Sequence, residues 1–152
     1  RLDSLDSLDG VEQIAMADLL QSAVMDIYPS AQQAGIDIRL HINAPEVTRT
    51  GQQLLLSLLA RNLLDNATRY SPRGSVVDVT LNTRSVTVRD NGPGISPDAL
   101  ARLGERFYRP PGQDATGSGL GLSIVKRIAA LHGMRVSLGN APEGGFEVKV
   151  NW

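Results

Sequence analysis

Two glycine-rich turns constrain this chain more than anything else in it: Asp90-Asn91-Gly92-Pro93-Gly94-Ile95 and Thr116-Gly117-Ser118-Gly119-Leu120-Gly121-Leu122. Between them, residues 91–118 are so crowded with glycine and proline that little regular structure fits, one short helix over Pro97 to Leu103 at most. Any fold must hold this long irregular segment against a body built from the residues on either side.

That body is legible as helices and strands. Asp18 opens a helical pattern with Leu19, Leu20, Ala23, Val24 and Ile27 on one face, closing at Gly35. Pro29 lies inside it and predicts a kink or break. Ile36 to Leu40 alternates as a half-buried strand, and Glu46 to Arg49 fits another short one. A long helix is predicted from about Gln52 to Tyr70, stopped by Ser71-Pro72-Arg73-Gly74. Val77, Val79 and Leu81 form one arm of a hairpin and Val86 and Val88 the other, turning at Asn82-Thr83-Arg84; the second arm runs directly into Asp90. Leu120 to His132 is helical and ends at Gly133. Met134 to Leu138 and Phe146 to Trp152 make a closing hairpin around 140–145. Helices interspersed with antiparallel strand pairs predict an α/β (α+β) two-layer sandwich: a mixed, largely antiparallel sheet with helices on one face. At the start, Leu2, Leu5 and Leu8 recur every third residue up to Asp9-Gly10, which fits either the end of a helix or a linker. The division is therefore 1–10, a preceding helix end or linker, and 11–152, a single domain.

Composition narrows the function classes. Aromatics are only 4% of the chain, so the core is built of Leu, Val, Ile and Ala. A net charge of −1 gives no basic excess for nucleic acid or an anionic membrane. With no cysteine, and only His41 and His132, neither a disulfide nor a thiolate- or histidine-rich metal site is expected. No apolar run approaches the ~18 residues of a membrane span. Arg1-Leu2-Asp3-Ser4 is neither a signal peptide nor an initiation site, so the chain is expected to be a soluble piece of something longer.

Three elements carry chemistry. Asn62 and Asn66 lie one helical turn apart on one face. Their amide oxygens suit Mg²⁺, a hard cation that keeps several waters; a simpler use is to bridge backbone near the helix end. Asp90 follows a strand and precedes Gly92 and Gly94. Its carboxylate can accept from an exocyclic amine such as adenine N6, or it can be a plain turn residue with glycine supplying positive φ. Gly117, Gly119 and Gly121 precede a helix, an arrangement that makes an anion site from backbone amides, or a hinge. Their spacing is neither the dinucleotide fingerprint nor a P-loop, and no protein-kinase catalytic loop is present. Arg106 and Arg109, in Glu105-Arg106-Phe107-Tyr108-Arg109, can reach phosphate oxygens or form a solvated charge run. Together these parts suit a nucleoside triphosphate with a metal.

The order of these boxes resembles the ATP-binding domain of sensor histidine kinases, in the family shared with gyrase, Hsp90 and MutL; the resemblance covers roughly residues 17–152. It implies a sheet covered by three helices, with a long mobile ATP lid. It implies that Asn66 ligates Mg²⁺ and that Asn62 supports the phosphates or metal. Arg69, where many relatives have lysine, and Tyr70 would face phosphates and nucleotide. Asp90 would bind adenine N6, with Gly92, Gly94 and Ile95 shaping its turn. Tyr108 and Arg109 would belong to the lid. Thr116, Gly117, Ser118, Gly119, Leu120, Gly121 and Leu122 would wrap the triphosphate. Asn62 and Arg109 would be the catalytic pair, and ATP and Mg²⁺ the cofactors.

The implied activity is that of a histidine protein kinase, passing the γ-phosphoryl of ATP to a histidine on a separate helical domain and thence to a response-regulator aspartate. The implied partners are the protein's own dimerisation and histidine-phosphotransfer helices and a cognate response regulator, with no nucleic acid; the full-length protein would be a homodimer and this piece a monomer. The implied setting is the cytoplasmic part of a bacterial inner-membrane protein. Three features depart from the pattern: Gly104 replaces a phenylalanine usual in the lid, Phe146 follows Gly144-Gly145 in place of a small hydroxyl residue, and no His-Glu-x-x-x-Pro phosphoacceptor motif occurs in these residues. Alternatives are a gyrase- or Hsp90-like ATPase and a non-catalytic nucleotide-binding module. The former carries a glutamate base where Asn62 stands, and an amide cannot take a proton from water at neutral pH.

Overall fold

A computed structural model describes residues 8–92, 121–142 and 144–152. The elements are β1 (Val11–Ala15), α1 (Met16–Gln33), β2 (Asp37–Ile42), β3 (Thr48–Gln52), α2 (Gln53–Tyr70), β4 (Val76–Leu81), β5 (Ser85–Asp90), α3 (Gly121–Leu131), β6 (Arg135–Asn140) and β7 (Phe146–Asn151). Five strands form one sheet in the order β2-β4-β5-β7-β6, and β1 and β3 form a separate two-stranded ribbon. In the large sheet β2 and β4 pair in parallel and every other pair is antiparallel. The three helices pack side by side with α2 in the middle; α1 lies against β2, α2 against β5 and α3 against β6. This is the two-layer sandwich with a mixed, mostly antiparallel sheet that the sequence predicts.

The layer forms because each element has one apolar face. Along β4, Val77, Val79 and Leu81 are fully buried while Asp78 and Thr80 between them face outward. On α2 the buried positions Leu56, Leu59, Ala60, Leu63 and Leu64 recur three and four residues apart. Each such leucine contributes about 1.5–3 kcal/mol on leaving water. The core is aliphatic, with Phe146 the single buried aromatic among the described residues.

Several boundaries differ from the sequence reading. Helix α1 begins at Met16, so Asp18 sits in its first turn, where its carboxylate interacts favourably with the positive end of the helix dipole. It continues through Pro29 to Gln33: the proline forfeits one backbone bond, and the burial of Ile27 and Ala31 on either side holds the helix across it. The second short strand is Thr48–Gln52, because Val47 is instead buried, its carbonyl accepting from Met16 N–H at 3.1 Å. Strand β1 was not anticipated; only Ile14 of its five residues is buried, too weak a pattern to register. Gln52 is the N-cap of α2, its Oε1 accepting from Leu55 N–H at 2.8 Å. The expected helix end at 1–7 and the expected lid helix at 97–103 lie outside the described residues.

Candidate functional site

Three chain segments converge at one edge of the helix layer: the second half of α2, the end of β5 and the start of α3. Asn62 and Asn66 are half-buried on the flank of α2 that meets α3. A Cβ on Gly121, the first residue of α3, would stand 3.7 Å from Asn66 Oδ1 and 3.8 Å from Asn62 Oδ1. Both amide oxygens thus approach a single point at a helix N-terminus, the end where unpaired backbone N–H groups gather. The opposite side of Asn62 is used structurally: Nδ2 donates to the Leu58 carbonyl at 2.8 Å, a contact that turns Oδ1 away from its own helix. The backbone-bridging use and the ligand-facing use of this residue are therefore compatible.

Asp90 closes β5 and is 9% exposed. Among the described residues both hydrogen bonds to its carboxylate fall on Oδ1, from Gly92 N–H at 2.8 Å and from Phe146 N–H at 3.2 Å. Oδ1 is the structural oxygen, fixing the turn and the start of β7, and no described residue donates to Oδ2. Asn91 adds a clamp that the sequence reading missed: its Oδ1 accepts from Val76 N–H at 2.8 Å and its own N–H donates to the Val76 carbonyl at 3.2 Å. Two glycines are required by close approach. A Cβ on Gly92 would lie 3.1 Å from Asp90 Oδ1 and 3.1 Å from Pro72 Cδ, which brings this turn against the chain leaving α2. Gly145, at φ +88°, passes the backbone of Asp90 even more tightly.

Of the other expected site residues, Arg69 is on the exposed side of α2, its Nε donating to Asp65 Oδ2 one turn back at 2.8 Å. Tyr70 is half-buried at the helix end. Leu122 is buried in the core, so its side chain anchors α3 and only its backbone is available to a ligand. Gly94, Ile95, Tyr108, Arg109, Thr116, Gly117, Ser118, Gly119 and Leu120 lie outside the described residues.

The sheet's outer face carries a different concavity, of about 480 Å³, lined by His41, Asp78, Thr80, Asn82, Thr87, Arg89 and Glu147. Its charges are matched internally: Asp78 Oδ1 contacts His41 Nε2 at 2.7 Å and Asp78 Oδ2 lies 3.5 Å from Arg89. Arg39, Asp78, Arg89 and Glu147 follow one another in register across four strands with alternating sign. This is the pattern of a solvated sheet face.

Residues 51–152 match the family described as histidine kinase-, DNA gyrase B-, and HSP90-like ATPase. The whole chain is 72% identical to sensor protein QseC of Escherichia coli (strain K12), and spans 34% of that protein's length. Among solved structures, the cytoplasmic segment of histidine kinase QseC matches all of this chain and 79% of its own, with a TM-score of 0.79 and 58% identity. Full-length ShkA in complex with AMPPNP matches 92% of this chain and 30% of its own, with a TM-score of 0.79 and 29% identity. The chain thus spans about a third of the length of the curated relatives it matches. No helix among the described residues is long and apolar enough to cross a membrane.

Proposed function

The chain belongs to the histidine kinase-, DNA gyrase B-, and HSP90-like ATPase family, and on that premise we propose that it is the catalytic ATP-binding domain of a two-component sensor histidine kinase. It binds Mg-ATP and passes the γ-phosphoryl to a histidine on a separate helical domain, for relay to an aspartate of a response regulator. The observation that carries this reading is the approach of Asn62 Oδ1 and Asn66 Oδ1 to one point beside Gly121, at the N-terminus of a helix.

The roles of Asp90, Asn62 and Asn66 rest on their surroundings, and those of residues outside the described ones on the family likeness. Asp90 Oδ2 accepts from the adenine amine, while Oδ1 stays engaged with the Gly92 and Phe146 amides. The glycine segment that leads into α3 offers backbone N–H groups to the phosphates. Arg69 and Tyr70 stand at the end of α2 for phosphates and nucleotide, and the family likeness assigns Arg109 and Tyr108, outside the described residues, to the same ligand. Two neutral amide oxygens suit Mg²⁺, and no cluster of three or more His, Cys, Asp or Glu among the described residues offers a rival metal site. Asn66 would hold the ion, which supplies charge neutralisation across the phosphates. The acceptor imidazole nitrogen forms a bond to the γ-phosphorus as the bond from that phosphorus to the β–γ bridging oxygen breaks, releasing ADP. Little covalent work falls to the protein; positioning and neutralisation dominate. Asn62 has no basic atom to activate water, which favours transfer over hydrolysis.

The tie to a longer, membrane-anchored, homodimeric protein with its active face in the cytoplasm rests on the likeness to QseC. The test is a labelling reaction with γ-labelled ATP, Mg²⁺ and a supplied phosphoacceptor helical domain. Acid-labile label on that domain is expected, and release of inorganic phosphate at the same rate without the domain would make the chain an ATPase instead.

A further inference from the structure

His132 is a buried histidine that the phosphoryl chemistry does not use. It follows α3, is 5% exposed, and spends both ring nitrogens on backbone. Nδ1 lies 2.8 Å from the Ile128 carbonyl of its own helix, and Nε2 accepts the backbone N–H of Gln52 at 3.2 Å, 80 residues earlier. These partners assign the neutral ring with its proton on Nδ1. Gln52 is the N-cap of α2, so the second bond joins the end of α3 to the start of α2.

At the other end of α3, Gly121 lies beside Asn62 and Asn66, which are ten and fourteen residues along the chain from Gln52. The helices therefore run antiparallel, packed along their length. From Gln52 to Asn62 is ten residues and from Gly121 to His132 eleven, each roughly 15 Å of helix at 1.5 Å per residue. Both helices are rigid over these spans, so the join at Gln52 and His132 fixes their relative height at Gly121. From this we infer that His132 is a positioning residue for the proposed nucleotide site: its bond to Gln52 sets how far α3 is slid along α2, and hence where Gly121 sits over the asparagine pair.

Gly51 carries the same argument from the other side. A Cβ on it would fall 2.8 Å from His132 Cδ2, 3.0 Å from Nε2 and 2.7 Å from Leu56 Cδ1. The imidazole lies against the Gly51 position, in space that glycine leaves clear. Gly51→Ala sits beside neither asparagine and pushes on the ring and on the Leu56 side chain.

The inference rests on the nucleotide reading, and the test separates the two. In His132→Gln, Oε1 can take the place of Nε2 and accept from Gln52, keeping the link between helices. In His132→Asn, the amide can take the place of Nδ1 and keep only the bond to Ile128. A role confined to finishing α3 is rescued by Asn; a positioning role is rescued by Gln. Calorimetric titration with Mg-ADP is run on the four proteins, with denaturant unfolding to verify that each is folded at the assay temperature. The expected result is affinity within about twofold of wild type for His132→Gln, and roughly tenfold weaker binding for folded His132→Asn and Gly51→Ala. Asn binding as tightly as wild type, or Gln binding as weakly as Asn, overturns the positioning role. Wild-type protein that binds no Mg-ADP overturns the nucleotide reading and this inference with it.

Discussion

A Cβ on Gly145 would fall 1.8 Å from the carbonyl oxygen of Asp90. The glycine before β7 is thus pressed onto the end of β5 at the residue expected to select the base. Contact between these backbones lets Phe146 N–H reach Asp90 Oδ1, so a loop distant in sequence helps to hold Asp90 in place.

Gly145→Ala is predicted to damage both stability and binding. Its φ of +88° alone makes a side chain unfavourable by roughly 1–3 kcal/mol. The clash with Asp90 is with backbone, which cannot rotate away, and must move the carboxylate. Denaturant unfolding should show the lost stability, and titration with ADP at a temperature where the variant is folded should show weakened affinity. Gly144, at φ +105° with no described residue within 4 Å of its Cβ position, is the control: Gly144→Ala should lose stability through strain alone and keep ADP affinity.

Asn66→Ala should separate stability from function. Asn is a poor helix former, and alanine in its place should favour α2 by about 0.5 kcal/mol. Asn66 is half-buried, so little cavity is left. If its Oδ1 holds the metal, ADP affinity at limiting Mg²⁺ should fall roughly tenfold while the melting temperature holds or rises. Equal affinity in both proteins would remove Asn66 from the metal site.

Neither histidine of this chain is placed to accept a phosphoryl group. His132 is buried with both nitrogens engaged, and His41 is on the outer face of the sheet against Asp78, away from the helix layer where the asparagines lie. Incubation with γ-labelled ATP and Mg²⁺ should leave the chain itself unlabelled. Acid-labile label mapped to His41 or His132 would contradict this.

The order of the layers was legible because burial imposes periodicity. Val77, Val79 and Leu81, and the leucines of α2, repeat at the spacing of the elements they form. What the sequence hid is local geometry that no periodicity encodes. Strand β1 has one apolar anchor, Ile14, and its pairing partner lies some 40 residues away. Nothing in the sequence around Gly51 signals that the His132 ring packs against it. Asn91 reads as half of a turn dipeptide, whereas its side chain completes the pairing of β4 with β5. At the candidate site, residue types and order pointed to Asn62, Asn66 and Asp90, but spacing along a chain cannot say that Asp90 spends Oδ1 on the Gly92 and Phe146 amides, which in the proposal leaves Oδ2 to the base.

That division makes Asp90→Asn a clean probe of base selection. Asparagine keeps an oxygen that can stay at the Oδ1 position and accept from Gly92 and Phe146, so the turn and the start of β7 are retained and stability should change little. The other carboxylate oxygen becomes an NH₂ group. Where Oδ2 would accept from the adenine amine, the variant presents a donor to a donor. A hydrogen bond to a charged group is worth roughly 1.5–3 kcal/mol, so ADP affinity should fall about ten- to a hundredfold. Guanine carries a carbonyl where adenine carries its amine; the wild-type carboxylate repels it and the variant amide can donate to it. The preference for ADP over GDP should therefore shrink by at least the same factor. Calorimetry with both nucleotides on both proteins reads this directly, and a variant with wild-type stability and an unchanged ADP/GDP ratio would leave Asp90 a turn residue and nothing more.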